Sequence, residues 1–127
     1  MTNVQRLDST PSGDNVALVF FRLAGQEFTV INGGPQFPFT EAVSFSVSCK
    51  DQAEVDRLWS ALTADGGEEG QCGWLRDRFG LSWQIIPERM GELLSDPEPE
   101  RRQRAMEAML KMQKIEIDVL QAAADGA

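Results

Sequence analysis

The sequence predicts an α+β fold, and three observations carry that reading. Val43-Ser44-Phe45-Ser46-Val47-Ser48-Cys49 alternates apolar and polar residues with the period of a half-buried strand. Val55, Leu58, Trp59 and Leu62 then recur at helical spacing, as a helix laid on a sheet requires. Finally, GQEFTVIN at 25–32 returns loosely as GLSWQIIP at 80–87, so that Phe28 matches Trp83 and Thr29 matches Gln84. Each copy follows another apolar strand, which suggests two copies of a small β-rich module with equivalent strand faces turned to a shared cleft.

Taken in order, TNVQRLD at 2–8 predicts a short strand, ended by the turn-rich STPSGDN of 9–15. NVALVFFRL at 15–23 is nearly continuous apolar sequence with β-branched and aromatic residues, as in a strand covered on both faces. Ala24-Gly25 predicts a tight turn into QEFTVI at 26–31, making a hairpin with Phe28 and Val30 on one face. Asn32, Gly33, Gly34 and Pro35 break the pattern, and the segment to Glu41 reads as an ordered linker.

The alternating strand at 43–49 comes next. Asp51 is placed to cap the helix that follows, with Glu54 three residues on, and Gly66-Gly67 end it, giving a helix over 51–65. Gly70–Leu75 and Leu81–Ile86 are predicted as two strands around a turn at Asp77–Gly80, with Glu68 and Glu69 in a solvated charged loop. Pro87 stops the sheet and 88–94 makes a short helix. Asp96-Pro97 predicts the cap and first residue of a helix running to about Met112, with Ala105, Met106, Met109, Leu110 and Met112 on its apolar side. A final short helix is expected over 117–124.

Composition limits the function classes. The 127 residues suit one domain, expected as 1–95 with a helical extension of the same domain at 96–127. A net charge of −8 without a basic patch argues against nucleic acid as a partner. No apolar run approaches a membrane span, and MTNVQRLDST lacks the features of a signal peptide, so no membrane partner and a cytoplasmic location are expected. The two cysteines form no CxxC pair and the chain has no histidine, which removes the commonest zinc ligand and the commonest base near neutral pH.

The order of elements and the phrases QEFTVINGGPQFPFT, GGEEGQCGWLRDRFGLSWQIIP and DPEPERRQRAMEAMLKM resemble the PhnB-like branch of the glyoxalase/bleomycin-resistance (vicinal oxygen chelate) superfamily, from about Asn3 to the C-terminus. The resemblance implies paired βαβββ modules curled around a cleft, in which the enzymes of the superfamily hold a divalent metal. Sequences of this branch often carry a 3-demethylubiquinone methyltransferase label, but the chain has no glycine-rich S-adenosylmethionine loop and the label is not adopted. Its second module looks complete. Its first begins at the second strand, lacking the first strand and helix, so either the chain is truncated or a partner covers the exposed edge, and a homodimer is expected.

By the same resemblance, metal ligands would come from the first and fourth strands of each module. The positions available fall near Ala42, where histidine is expected, and on Thr29 and Gln84; the first-strand position of module one is missing. A methyl, a hydroxyl and an amide make a poor divalent site, so no tightly held metal is expected.

The ligand-binding candidates are Thr29, Ser44, Ser46, Trp74, Ser82 and Gln84, with Ser48 continuing the serine face. They form a polar cleft floor if Val43, Phe45 and Val47 turn toward the helix; an ordinary hydrated strand face would show the same alternation. Trp83 is expected in the core and Trp74 in the cleft or an interface. Cys72 is the catalytic candidate, weighed against a packing role, because no histidine is present to generate its thiolate. The reading is of a dimer that binds an unidentified small molecule in a metal-free cleft. Two alternatives stay open: a divergent metal-dependent lyase, dioxygenase or transferase completed across the dimer, and a non-enzymatic interaction module.

Overall fold

The computed structural model describes residues 3–7 and 16–127, with side chains from residue 18 onward. The chain divides into two compact units, residues 1–38 and 39–127. The turn expected at 9–15 lies outside the described residues.

The first unit is an antiparallel meander of β1 (Asn3–Leu7), β2 (Val16–Leu23) and β3 (Gln26–Ile31), in that order across the sheet. Leu23 pairs with Gln26, so Ala24 and Gly25 form a two-residue loop, and both have positive φ, 51° and 80°. Such mirror-image turns match the twist of the strands they join. Phe21 and Phe28 are cross-strand partners and stack with ring centroids 5.3 Å apart. Arg22 and Glu27, the next pair along, form an ion pair of 3.0 Å.

The second unit begins with β4 (Ser44–Cys49), followed by α1 (Gln52–Thr63), β5 (Glu68–Glu69), β6 (Trp74–Arg76) and β7 (Ser82–Pro87). Its sheet order is β4-β7-β6-β5, with β4 parallel to β7 and the other pairs antiparallel. This is a βαβββ arrangement in which α1 crosses between β4 and the three-stranded meander. The helix starts where the sequence places its cap: the Asp51 carboxylate accepts from the Glu54 backbone N–H at 2.9 Å. Its stripe covers one side of the sheet, where Cys49, Val55, Trp59, Leu75 and Ile85 form a buried cluster flanked by Val47, Leu58, Leu62 and Trp83.

Three helices follow: α2 (Glu88–Leu94), α3 (Pro99–Met109) and α4 (Ile117–Asp125). They enclose a second cluster, in which Met90, Leu93, Ala105, Met112, Ile115, Leu120 and Ala124 are buried and Ile86 of β7 packs against it. Backbone and side-chain bonds tie this part to the sheet. Gln52 donates to the Ile115 carbonyl at 3.0 Å and accepts from the Ile117 N–H at 2.8 Å. The N–H groups of Cys72 and Gly73 donate to the carbonyls of Met112 and Gln113, both at 2.8 Å.

Several expected boundaries shift for identifiable reasons. Gly70–Leu75 is not one strand: Cys72 and Gly73 adopt positive φ, 58° and 84°, and their N–H groups are taken by the C-terminal segment, so β6 starts only at Trp74. Glu68 and Glu69, expected in a loop, form the edge strand β5. The helix expected from Pro97 starts at Pro99, because the Asp96 carboxylate accepts from the Glu98 N–H and turns the chain before it becomes helical. That helix stops at Met109, and Met112 lies beyond it in the buried cluster, while Met106 and Leu110 are exposed.

Candidate functional site

The strand register sorts the side chains of the second sheet between its two faces. Val47 and Cys49 stand with Trp83 and Ile85 on the face under α1; Phe45 and Pro87 share that face by register, but Phe45 stays exposed, as does Val43 ahead of the strand, where both were expected to turn toward the helix. Ser44, Ser46 and Ser48 stand beside Ser82, Gln84 and Ile86 on the opposite face. On β6, Trp74 pairs with Gln84 and Arg76 with Ser82, so both join the serine face; Glu68 of β5 pairs with Arg76 and extends it. One transverse row is therefore Glu68, Arg76, Ser82 and Ser44, and the next is Trp74, Gln84 and Ser46. Ile86 closes the face at the end where the C-terminal helices pack.

Within this surface the Gln84 side-chain amide donates to Ser44 Oγ at 2.9 Å. Arg76 reaches Glu41 through Nη2 at 3.0 Å and Glu68 through Nη1 at 3.5 Å. A depression of about 170 Å³ is lined by Glu41, Glu68, Gly70, Trp74, Arg76 and Ser82, among others. Gly70 is needed at its margin, since a Cβ there would lie 2.8 Å from the Trp74 carbonyl oxygen. Two polar atoms at this place, Arg76 Nε and Ser82 Oγ, are buried and make no hydrogen bond to any described residue. A buried polar group in that condition costs about 1–3 kcal/mol unless something pairs with it.

The structure thus brings Ser44, Ser46, Trp74, Ser82 and Gln84 onto one face. Thr29 lies in the first unit, exposed on β3 opposite Phe20, and is not part of this row. Cys72 sits half-buried in the turn before β6, away from the strand position expected for it, and its backbone N–H is held by Met112. Trp83 lies on the helix face, donating through its indole N–H to Asp77 at 2.9 Å and meeting Phe45 edge-on at 5.4 Å. Glu69 is not merely solvated: its carboxylate accepts from the Trp59 indole on the helix side.

Arg76, Glu41 and Glu68 are the residues that sequence reasoning missed. A signal for Arg76 was available, because it lies two positions after Trp74 and so shares its face in any strand. Glu41 gave none, since its approach to Arg76 comes from the turn ahead of β4. Among the described residues no three His, Cys, Asp or Glu side chains come together as a possible metal site. No helix among them is long and apolar enough to cross a membrane.

Comparison with known proteins places this geometry in a family. No curated protein matches the chain. A solved structure of the PhnB protein from Bacillus cereus, whose description carries the name 3-demethylubiquinone-9 3-methyltransferase, matches with a TM-score of 0.57 and 30% identity, over 68% of this chain and 77% of that one. The family model described as 3-demethylubiquinone-9 3-methyltransferase matches residues 1–86, which include β1 through most of β7. With its βαβββ unit and that match, the chain belongs to this PhnB-like family of the glyoxalase type.

Proposed function

We propose that the chain binds a small polar molecule on the serine face of its four-stranded sheet, without a metal, and acts as a homodimer. The observation that carries this reading is the segregation of side chains. Apolar residues go under α1, while Ser44, Ser46, Trp74, Ser82 and Gln84 gather with Arg76 on the other side. An aromatic surface beside a few fixed hydrogen-bonding groups is the usual make-up of a small-molecule site.

The donor set speaks against a divalent metal in this chain. Gln84 offers one neutral amide, already bonded through its nitrogen to Ser44. Thr29 offers a hydroxyl, and Ala42 only a methyl. Magnesium, manganese, zinc and nickel favour carboxylate or imidazole donors in numbers that these positions do not supply. Methyl transfer, the activity in the family's name, is not proposed, and the sequence has no histidine to serve Cys72 as the base that a nucleophile needs.

Dimerisation rests on the first unit. Its sheet has three strands, with Leu23, Val30 and Ile31 exposed, and sheets with bare apolar faces and edges invite pairing.

The test of binding is the Trp74 indole resonance during titration with a panel of small polar metabolites. A saturable shift, weakened in Gln84→Ala, is expected; an unmoved Trp74 across the panel would refute the reading. Light scattering at micromolar concentration tests the dimer, and a monodisperse monomer would contradict it.

A further inference from the structure

Arg76 and Ser82 are direct cross-strand partners, and each holds one buried polar atom that pairs with nothing in the described chain. Ser82 is 1% exposed, so bulk water does not satisfy its hydroxyl, although the residue lines the depression. The arginine is only partly engaged. A guanidinium presents Nε and Nη2 as two parallel donors that fit two oxygens of one carboxylate or phosphate. Here Glu41 takes Nη2 alone, with Oε1 at 3.0 Å, and Nε is left unmade. The Glu41 carboxylate thus sits on one prong of a fork whose other prong waits beside Ser82.

The competing carboxylates are held loosely. Glu41 and Glu68 have side chains 67% and 70% exposed, and exposed ion pairs exchange readily with solvent and other ions. The depression they border has room for an acidic head group, with Trp74 on its wall for the rest of the molecule.

We propose that Arg76 Nε and Nη2, together with Ser82 Oγ, form an oxyanion subsite for the carboxylate or phosphate of a small-molecule ligand. Glu41 is its displaceable internal occupant. The inference rests on the reading of the serine face as a ligand site and specifies the chemistry of what binds there. Binding moves Glu41 off Nη2, lets both prongs of the fork engage one anion, and lets the Ser82 hydroxyl donate to it. Glu41 therefore tunes affinity by competition, and neutralising it strengthens binding.

The experiment follows the Arg76 Nε–H resonance, assigned by its loss in Arg76→Lys, in the full chain at constant ionic strength. Acetate, methyl phosphate and neutral acetamide are the probes, on wild type, Glu41→Gln and Ser82→Ala. Arg76 Nε–H is expected to shift saturably with an anion and not with acetamide. Binding should be about threefold tighter in Glu41→Gln, in keeping with loss of one exposed competitor, and weaker in Ser82→Ala. Whichever anion binds more tightly identifies the head group as carboxylate or phosphate. An Arg76 signal unmoved by either anion, or equal affinities in wild type and Glu41→Gln, would overturn the proposal. If acetamide or another neutral compound shifts Trp74 while Arg76 stays silent, the oxyanion subsite is wrong and the serine-face site stands; silence of both residues counts against both.

Discussion

Gln84 donates its side-chain amide to Ser44 Oγ at 2.9 Å, diagonally across the parallel β4–β7 pair in which Ser44 stands opposite Ser82. The bond commits the nitrogen end of the amide to the protein. In the proposed site the carbonyl end is the acceptor for a ligand donor, on the same sheet face as Arg76 and Ser82. A single face thereby offers both hydrogen-bonding senses.

The clamp made by Gln52 predicts a measurable stability change. Its amide bonds the Ile115 carbonyl and the Ile117 N–H, joining the start of α1 to the start of α4. Gln52→Ala leaves both backbone groups without that partner and should cost about 1–3 kcal/mol. Urea unfolding checks this, and hydrogen exchange should quicken at Ile117 before it does in β7. A change in midpoint too small to resolve would show that the clamp is dispensable.

Acid should loosen the C-terminal helices. Asp96 lies below its ordinary value of 3.8, because the Glu98 N–H and then Arg101 stabilise the carboxylate. Asp125 is lowered by Arg101 first and Gln121 second. Lowered folded-state values mean that these groups contribute stability above the ordinary value of 3.8, which is lost as pH falls through the folded values. Arg101→Met should therefore be less stable than wild type at neutral pH, with the gap closing below the ordinary carboxylate range. Thermal melts across that range decide it; a gap independent of pH would assign the effect to packing alone.

The hairpin of the first unit holds an alanine where L-residues are strained. Ala24 has φ 51° in a two-residue turn whose second position is already glycine. Asparagine is favoured at that first position, so Ala24→Asn should stabilise the hairpin by about 0.5–1 kcal/mol. Slower amide exchange at Phe21 and Phe28 is the expected sign, and faster exchange would contradict the assigned turn.

Much of the fold was legible because local patterns and tertiary structure agree. The serine alternation placed β4, the spacing of Val55, Leu58, Trp59 and Leu62 placed α1, and Asp51 marked its start. The core position expected for Trp83 agrees with its place on the helix face. The failures lie where distant chain segments decide local form. Cys72 and Gly73 leave the strand pattern because the carbonyls of Met112 and Gln113, about forty residues away, take their N–H groups. Glu68 and Glu69 read as a loop, since nothing local reveals that Arg76 and Trp59 await their carboxylates. The candidate site was found by its face and missed in its charge, because the partner that marks Arg76, Glu41, approaches from the turn ahead of β4.

Native mass spectrometry probes the proposed metal-free ligand site on the serine face without intermediaries. The protein would be purified without chelator, as wild type and as Gln84→Ala. No stoichiometric metal is expected on either, and any organic adduct on wild type should be reduced in the variant. A divalent metal bound one per chain in wild type and lost in Gln84→Ala would contradict the proposed site.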